Sequence, residues 1–156
     1  LGRNLVLQRE RWLKYTATTK ISFEPQTSEQ AGLTCYYDTQ TYARLGWQKG
    51  KMGGWELSFE EMKYGRPVIS KVTSIRKVSH LFLRLRVDKL AREFEYSYDN
   101  KHWSSAGGIN DASYLSDQGT PNWGFMGMMV GIYSFNRGSG TKIPADFDWF
   151  KISDIK

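Results

Sequence analysis

One cysteine, Cys35, and two histidines, His80 and His102, are all that this 156-residue chain holds of the side chains most used for disulfides, zinc sites and nucleophilic chemistry. A lone cysteine excludes a disulfide framework and a cysteine-built zinc site. It stands in an apolar stretch, where a thiol is buried and inert. His80 opens a strand pattern and His102 falls in a turn, so a histidine-based catalytic triad has no support. No glycine-rich phosphate loop leads into a helix, which removes nucleotide chemistry. No apolar run approaches the roughly 20 residues of a membrane span, so a membrane partner is not expected. Nothing at the start resembles a signal peptide, and the first residue is Leu, so the chain reads as a processed or excised piece. Secreted, periplasmic and cytoplasmic locations all remain open. Long helical periodicity is missing too; only Ser28 to Ala31 could form a single turn. The net charge is +6, from 22 basic and 16 acidic residues without a block of like charge, which describes a solvated surface and not a nucleic-acid footprint.

What is abundant is aromatic. Six Trp, nine Tyr and eight Phe make up 15% of the chain, beside 15 Gly and only four Pro. Alternation with a period of two recurs: Tyr15 to Phe23, Ala31 to Tyr37, Thr41 to Trp47, Trp55 to Phe59, a short strand around Val68 and Val72, Phe94 to Tyr98, Met128 to Tyr133 and Asp146 to Ile152. The cleanest case is His80 to Val87, where Leu81, Leu83, Leu85 and Val87 point one way and Phe82, Arg84 and Arg86 the other. Trp103 opens the strand that returns after the tight turn at Asp99, Asn100 and Lys101. Gly107 to Gly124 reads as a long loop. About nine strands with frequent turns make an all-β fold, a two-sheet antiparallel β-sandwich of jelly-roll type, as one domain over residues 1–156.

Carboxylate pairs and rings are the chemical candidates. Glu93 with Glu95, and Asp146 with Asp148, lie two apart on a strand, about 6.5–7 Å between Cα atoms. That separation is within the reach of glycoside hydrolysis, but a polar outer face is the preferred reading of Glu93 and Glu95. Asp146, Asp148 and Glu24 could instead contribute ligands to a structural calcium, which wants six to eight oxygens. The rings Trp47, Trp55, Trp103, Trp123, Tyr42, Tyr114 and Tyr133 exceed the needs of a small core. A flat ring packs on the C–H face of a sugar, which makes Trp55, Trp103, Trp123 and Tyr133 the candidate carbohydrate-binding residues.

The order of short motifs is more specific than any one of them. Gln8, Arg9 and Glu10 are followed by Thr19 to Pro25 (TKISFEP), Gln30 to Leu33 (QAGL) and Tyr36 with Tyr37. Then come Leu83 to Leu85 (LRL), Phe94 to Asp99 (FEYSYD) with Trp103, Tyr114 to Ser116 (YLS), Phe125 to Gly127 (FMG), Val130 with Gly131, and Ala145 to Phe150 (ADFDWF). This series resembles the C-terminal concanavalin A-like β-sandwich of family 43 glycoside hydrolases, the β-xylosidases and α-L-arabinofuranosidases. The resemblance implies a non-catalytic accessory module with no required cofactor, whose partners are a five-bladed catalytic propeller and xylan or arabinoxylan oligosaccharides. It also implies that a loop holding Phe125, with Trp123 beside it, reaches the propeller's substrate pocket. The chain departs from the family in lacking the opening strands, so the domain reads as incomplete at its N-terminus, and in carrying Arg9-Glu10 where the motif has Arg-Gln. A jelly-roll glycosidase in its own right and a structural interaction sandwich without a sugar ligand are the competing readings.

The loop reading has a direct test. In the propeller-linked protein that the resemblance implies, Phe125→Ala lowers turnover of short substrates and leaves the melting temperature of the sandwich within about a degree or two. A Phe125 that plugs the sandwich core would instead cost about 3–5 kcal/mol and show as a large fall in melting temperature.

Overall fold

Side chains that alternate in the sequence alternate between core and solvent in the fold. The computed structural model describes residues 3–115, 128–136 and 143–155, so Trp123 and Phe125 lie outside the described residues. Eleven strands are present among them: β1 (Arg3–Arg9), β2 (Lys14–Ser22), β3 (Glu29–Asp38), β4 (Thr41–Lys49), β5 (Trp55–Lys63), β6 (Arg66–Ile75), β7 (His80–Asp88), β8 (Ala91–Ser97), β9 (Ser104–Ile109), β10 (Met129–Asn136) and β11 (Asp146–Asp154). They form an antiparallel six-stranded sheet in the order β1-β10-β3-β4-β5-β6 and an antiparallel five-stranded sheet in the order β11-β2-β7-β8-β9. The fold is the two-sheet β-sandwich that the sequence predicts. No helix of the described residues is long and apolar enough to cross a membrane.

The core is filled from both sheets. Leu81, Leu83, Leu85 and Val87 of β7 are fully buried, as are Leu33, Leu45, Trp47 and Leu57 of the facing sheet. Burial of this kind is worth about 25 cal/mol per Å² of apolar surface. Phe23, Trp47 and Trp55 close one end, with ring centroids 5.6 and 5.4 Å apart in edge-to-face contacts. Ala112, Tyr114 and Leu115, around a single 3-10 turn (Ser113–Leu115), are buried against the core cluster.

Two local expectations are corrected and one strand is added. The segment Ser28 to Ala31 is not a helical turn, because β3 already runs from Glu29. Gly107 is not the start of a loop but lies in β9, where the missing Cβ leaves room for the Phe59 ring. The strand β1 was not readable, since it is an edge strand whose Val6 is 63% exposed, and an edge need not alternate.

Two polar features sit where the apolar pattern breaks. Between Phe147 and Trp149 the β11–β2 register slips, leaving Asp148 bulged, and the buried Thr19 hydroxyl donates to the Trp149 carbonyl at 2.7 Å. Arg92, on β8 beside Phe94, is 1% exposed. Its Nη2 meets Glu10 at 3.0 Å, its Nη1 donates to the Lys89 carbonyl at 2.6 Å, and Glu10 also accepts the Tyr15 hydroxyl at 2.8 Å. The same Glu10 donates its backbone N–H to the Met128 carbonyl at 3.0 Å. This pair therefore ties the end of β1 to both β8 and the entry to β10.

Glu10→Ala strands the Arg92 charge in the core and lowers stability by about 3–5 kcal/mol. A urea titration should show the midpoint falling with its slope unchanged. The double change Glu10→Leu with Arg92→Met removes both charges and costs less than either single change. Burial pushes the Cys35 thiol up to about 12. In the folded protein Cys35 therefore stays unmodified by a thiol-disulfide reagent at neutral pH, and reacts once denaturant exposes it.

Candidate functional site

Because Ala43, Leu45 and Trp47 turn inward, their neighbours Tyr42, Arg44, Gly46 and Gln48 must turn outward. The registers set Gln30, Gly32, Thr34 and Tyr36 of β3 beside them, and Tyr133 and Phe135 of β10 beyond. Tyr133 is opposite Gly32, which is opposite Gly46. A Cβ at Gly46 would collide with the Tyr133 hydroxyl and the Gln30 side chain. The glycine thus makes room for a large side chain to lie across the sheet, and Tyr133 is only 5% exposed although it stands on the outer face.

Arg44 is the centre of this face. Its Nε and Nη2 donate to Glu60 Oε2 at 3.0 and 2.6 Å. Its guanidinium carbon lies 4.8 Å from the Tyr42 ring centre, 4.9 Å from that of Phe135 and 5.5 Å from that of Tyr133. Burial alone would lower the Arg44 pKa, but the Tyr133 and Tyr42 phenols and the Glu60 carboxylate outweigh it and hold the pKa raised. Tyr36 and Tyr42 stack at 6.5 Å with a 16° interplanar angle, and Tyr133 and Phe135 at 5.9 Å with 18°. Between them lies a cavity of about 150 Å³, lined by these rings, Arg44 and Leu5, with polar groups from Asn4, Thr39 and Ser134. Beside it runs a chain of hydrogen bonds across four strands: Tyr133 hydroxyl to Gln30 at 2.7 Å, Gln30 to Gln48 at 2.5 Å, and Gln48 to Glu56 at 3.1 Å.

Of the rings singled out in the sequence, Tyr42 and Tyr133 belong to this face. Trp55 caps the core end, its Nε1 donating to the Pro25 carbonyl at 3.2 Å and Lys77 lying over its ring. Trp103 precedes β9 with the Arg84 guanidinium 4.0 Å from its ring centre. Trp47 and Tyr114 are core residues. Glu95 accepts from Arg84 Nε at 3.1 Å and lies 3.6 Å from Arg86, while Glu93 accepts from the Ser105 hydroxyl. Both carboxylates thus belong to a polar outer face. His102 is bound to Asp99 through Nδ1 at 2.6 Å, in an exposed turn. The backbone N–H of His102, then its ring, holds the Asp99 carboxyl well below the usual range. Asp148 faces Lys20 Nζ at 3.3 Å, and Glu24 follows β2 in an exposed link. Among the described residues no three His, Cys, Asp or Glu side chains gather as a metal-holding group.

Tyr36, Arg44 and Phe135 were missed as site residues. One signal was present: a hairpin turning at Asp38 to Thr41 sets Tyr36 directly opposite Tyr42.

Comparison with known proteins agrees with the fold. The family model described as the beta-xylosidase C-terminal concanavalin A-like domain matches residues 2–153. A β-xylosidase of Bacillus subtilis is 28% identical over 154 residues, covering 96% of this chain and 29% of that protein. The crystal structure of the GH43 BlXynB protein from Bacillus licheniformis superposes with a TM-score of 0.91 at 39% identity, covering 97% of this chain and 30% of that one. The xylan β-1,4-xylosidase from Bacillus halodurans gives 0.87 at 25% identity, covering 98% and 30%. The chain thus spans under a third of the length of these relatives. With nearly its whole length matched, and both sheets of the sandwich in place, the chain belongs to the family of β-xylosidase C-terminal concanavalin A-like domains.

Proposed function

We propose that this chain is the non-catalytic accessory sandwich of a xylan- or arabinan-degrading glycoside hydrolase. It packs on a catalytic propeller, contributes Trp123 and Phe125 to the propeller's substrate pocket, and contacts β-xylan-type sugars through aromatic side chains. The observation that carries this reading is the coverage: almost all of this chain corresponds to only 29–30% of β-xylosidases and their structural relatives. The reacting groups of such enzymes then belong to the larger remainder. The carboxylates here support the same division of labour. Glu60 is bound by Arg44, Glu95 by Arg84 and Arg86, Glu10 by Arg92, and Asp148 by Lys20. A carboxylate already engaged by a cation on the sheet must give up that charge-assisted partner before it can serve a substrate.

The chain alone should release no xylose from xylobiose or xylan. Reducing-sugar assay and chromatography of the products check this. Xylose release that disappears in Glu95→Gln or Asp148→Asn would overturn the accessory reading and restore the jelly-roll glycosidase.

A further inference from the structure

We propose that the cavity over Arg44, between Tyr42, Tyr36 and Phe135, is a subsite for a single neutral pentosyl unit, a chain end or one-sugar branch of xylan or arabinoxylan. This rests on the sugar-contact part of the proposed function and names its location.

Four observations carry it. The first is ring geometry. Tyr36 with Tyr42, and Tyr133 with Phe135, form two near-parallel pairs on either side of Arg44. Tyr36, Tyr42 and Phe135 keep part of their surface exposed beside the cavity. Aromatic faces of that kind receive the C–H side of a pyranose or furanose ring. The second is size. A volume of about 150 Å³ is well below the roughly 300–1,000 Å³ typical of sites for larger ligands, which suits one ring and not an enclosed chain. The third is charge. Arg44 is already neutralised by Glu60 and surrounded by three rings, so an anionic ligand would have to compete with an internal carboxylate that accepts two of its hydrogen bonds through one oxygen. Two of the five guanidinium N–H groups serve Glu60, and the others are of the type that donates to neutral hydroxyls. The fourth is rigidity. The walls stand on β1, β3, β4 and β10, four adjacent strands of one sheet, and Gly46 and the Tyr133 hydrogen bond to Gln30 fix the floor. Preformed walls lower the ordering cost of a small ligand. Trp55 caps the core end and Trp103 carries Arg84 over its ring, and neither lines this cavity.

The test is titration of the isotope-labelled chain with xylotriose, with an arabinose-substituted xylotriose and with a glucuronic acid-substituted one, followed by amide shifts. The expected result is micromolar to millimolar binding of the two neutral probes, with shifts centred on Tyr36, Thr39, Tyr42 and Phe135. Tyr42→Ala and Phe135→Ala should each weaken binding at least about tenfold, and Trp103→Ala should leave it unchanged. Shift mapping on the unaltered chain keeps the test valid if a variant fails to fold. Affinity should change little between low and high salt, since no net charge is matched. Binding with shifts at Trp55 or Trp103, unaffected by Tyr42→Ala, would overturn the subsite and leave the sugar-contact reading standing. Preference for the uronic acid probe with steep salt dependence would overturn the neutral ligand. No binding of any probe would remove the sugar-contact reading and the subsite together.

Discussion

The contact on which both sheets depend is the apolar row of β7 against the facing sheet. Leu81, Leu83, Leu85 and Val87 are fully buried, and β7 is the central strand of its sheet. A strand has only two faces, so burying these four decides where every neighbour points. Phe82, Arg84 and Arg86 are forced outward, and the β7–β8 register sets Arg84 opposite Glu95 and Arg86 opposite Glu93. The same logic on the other sheet, with Leu33, Leu45 and Trp47 inward, lifts Tyr36, Tyr42 and Arg44 to the outer face. The candidate site is a by-product of core packing, carried on the reverse side of the core strands.

Where this two-faced rule fails, polar groups compensate. The bulge at Asp148 leaves Trp149 turned outward beside Phe82, and Thr19 satisfies its carbonyl from within. Arg92 occupies an inward position that alternation would assign to an apolar residue, and Glu10 answers its charge. Both compensations are long-range: Thr19 is 130 residues from Trp149, and Glu10 is 82 from Arg92. They join the first strands to the last strand and to the middle of the chain, which local propensity alone does not do.

Most of the architecture was legible in the sequence because period-two alternation is a local signal. The strand from His80 to Val87 and the hairpin of β3 and β4 could be read directly. The edge strand β1 could not, since only one neighbour constrains it and Leu5 and Val6 are both exposed. The site was harder to read than the fold. Ring size drew attention to tryptophan, yet Trp47 is the largest fully buried side chain and Trp55 a core cap. The outer-face cluster is instead built from Tyr and Phe on β3, β4 and β10, whose partners are about a hundred residues apart in sequence, as Gln30 and Tyr133 are at 103. Only sheet order brings β10 next to β3, and no spacing rule along the chain contains that order.

The cross-strand chain from Tyr133 to Glu56 has a direction. An ionised carboxylate can only accept, so Gln48 must present its amide nitrogen to Glu56 and its oxygen to Gln30. Gln30 in turn must present its nitrogen to Gln48 and its oxygen to Tyr133, whose proton is thereby committed away from the cavity. An acidic residue on β5, three strands away and outside the cavity lining, thus dictates the hydrogen-bonding sense of Tyr133. Replacing Glu56 by a residue able to donate would let the whole relay reverse, with the Tyr133 hydroxyl accepting from Gln30 instead of donating to it.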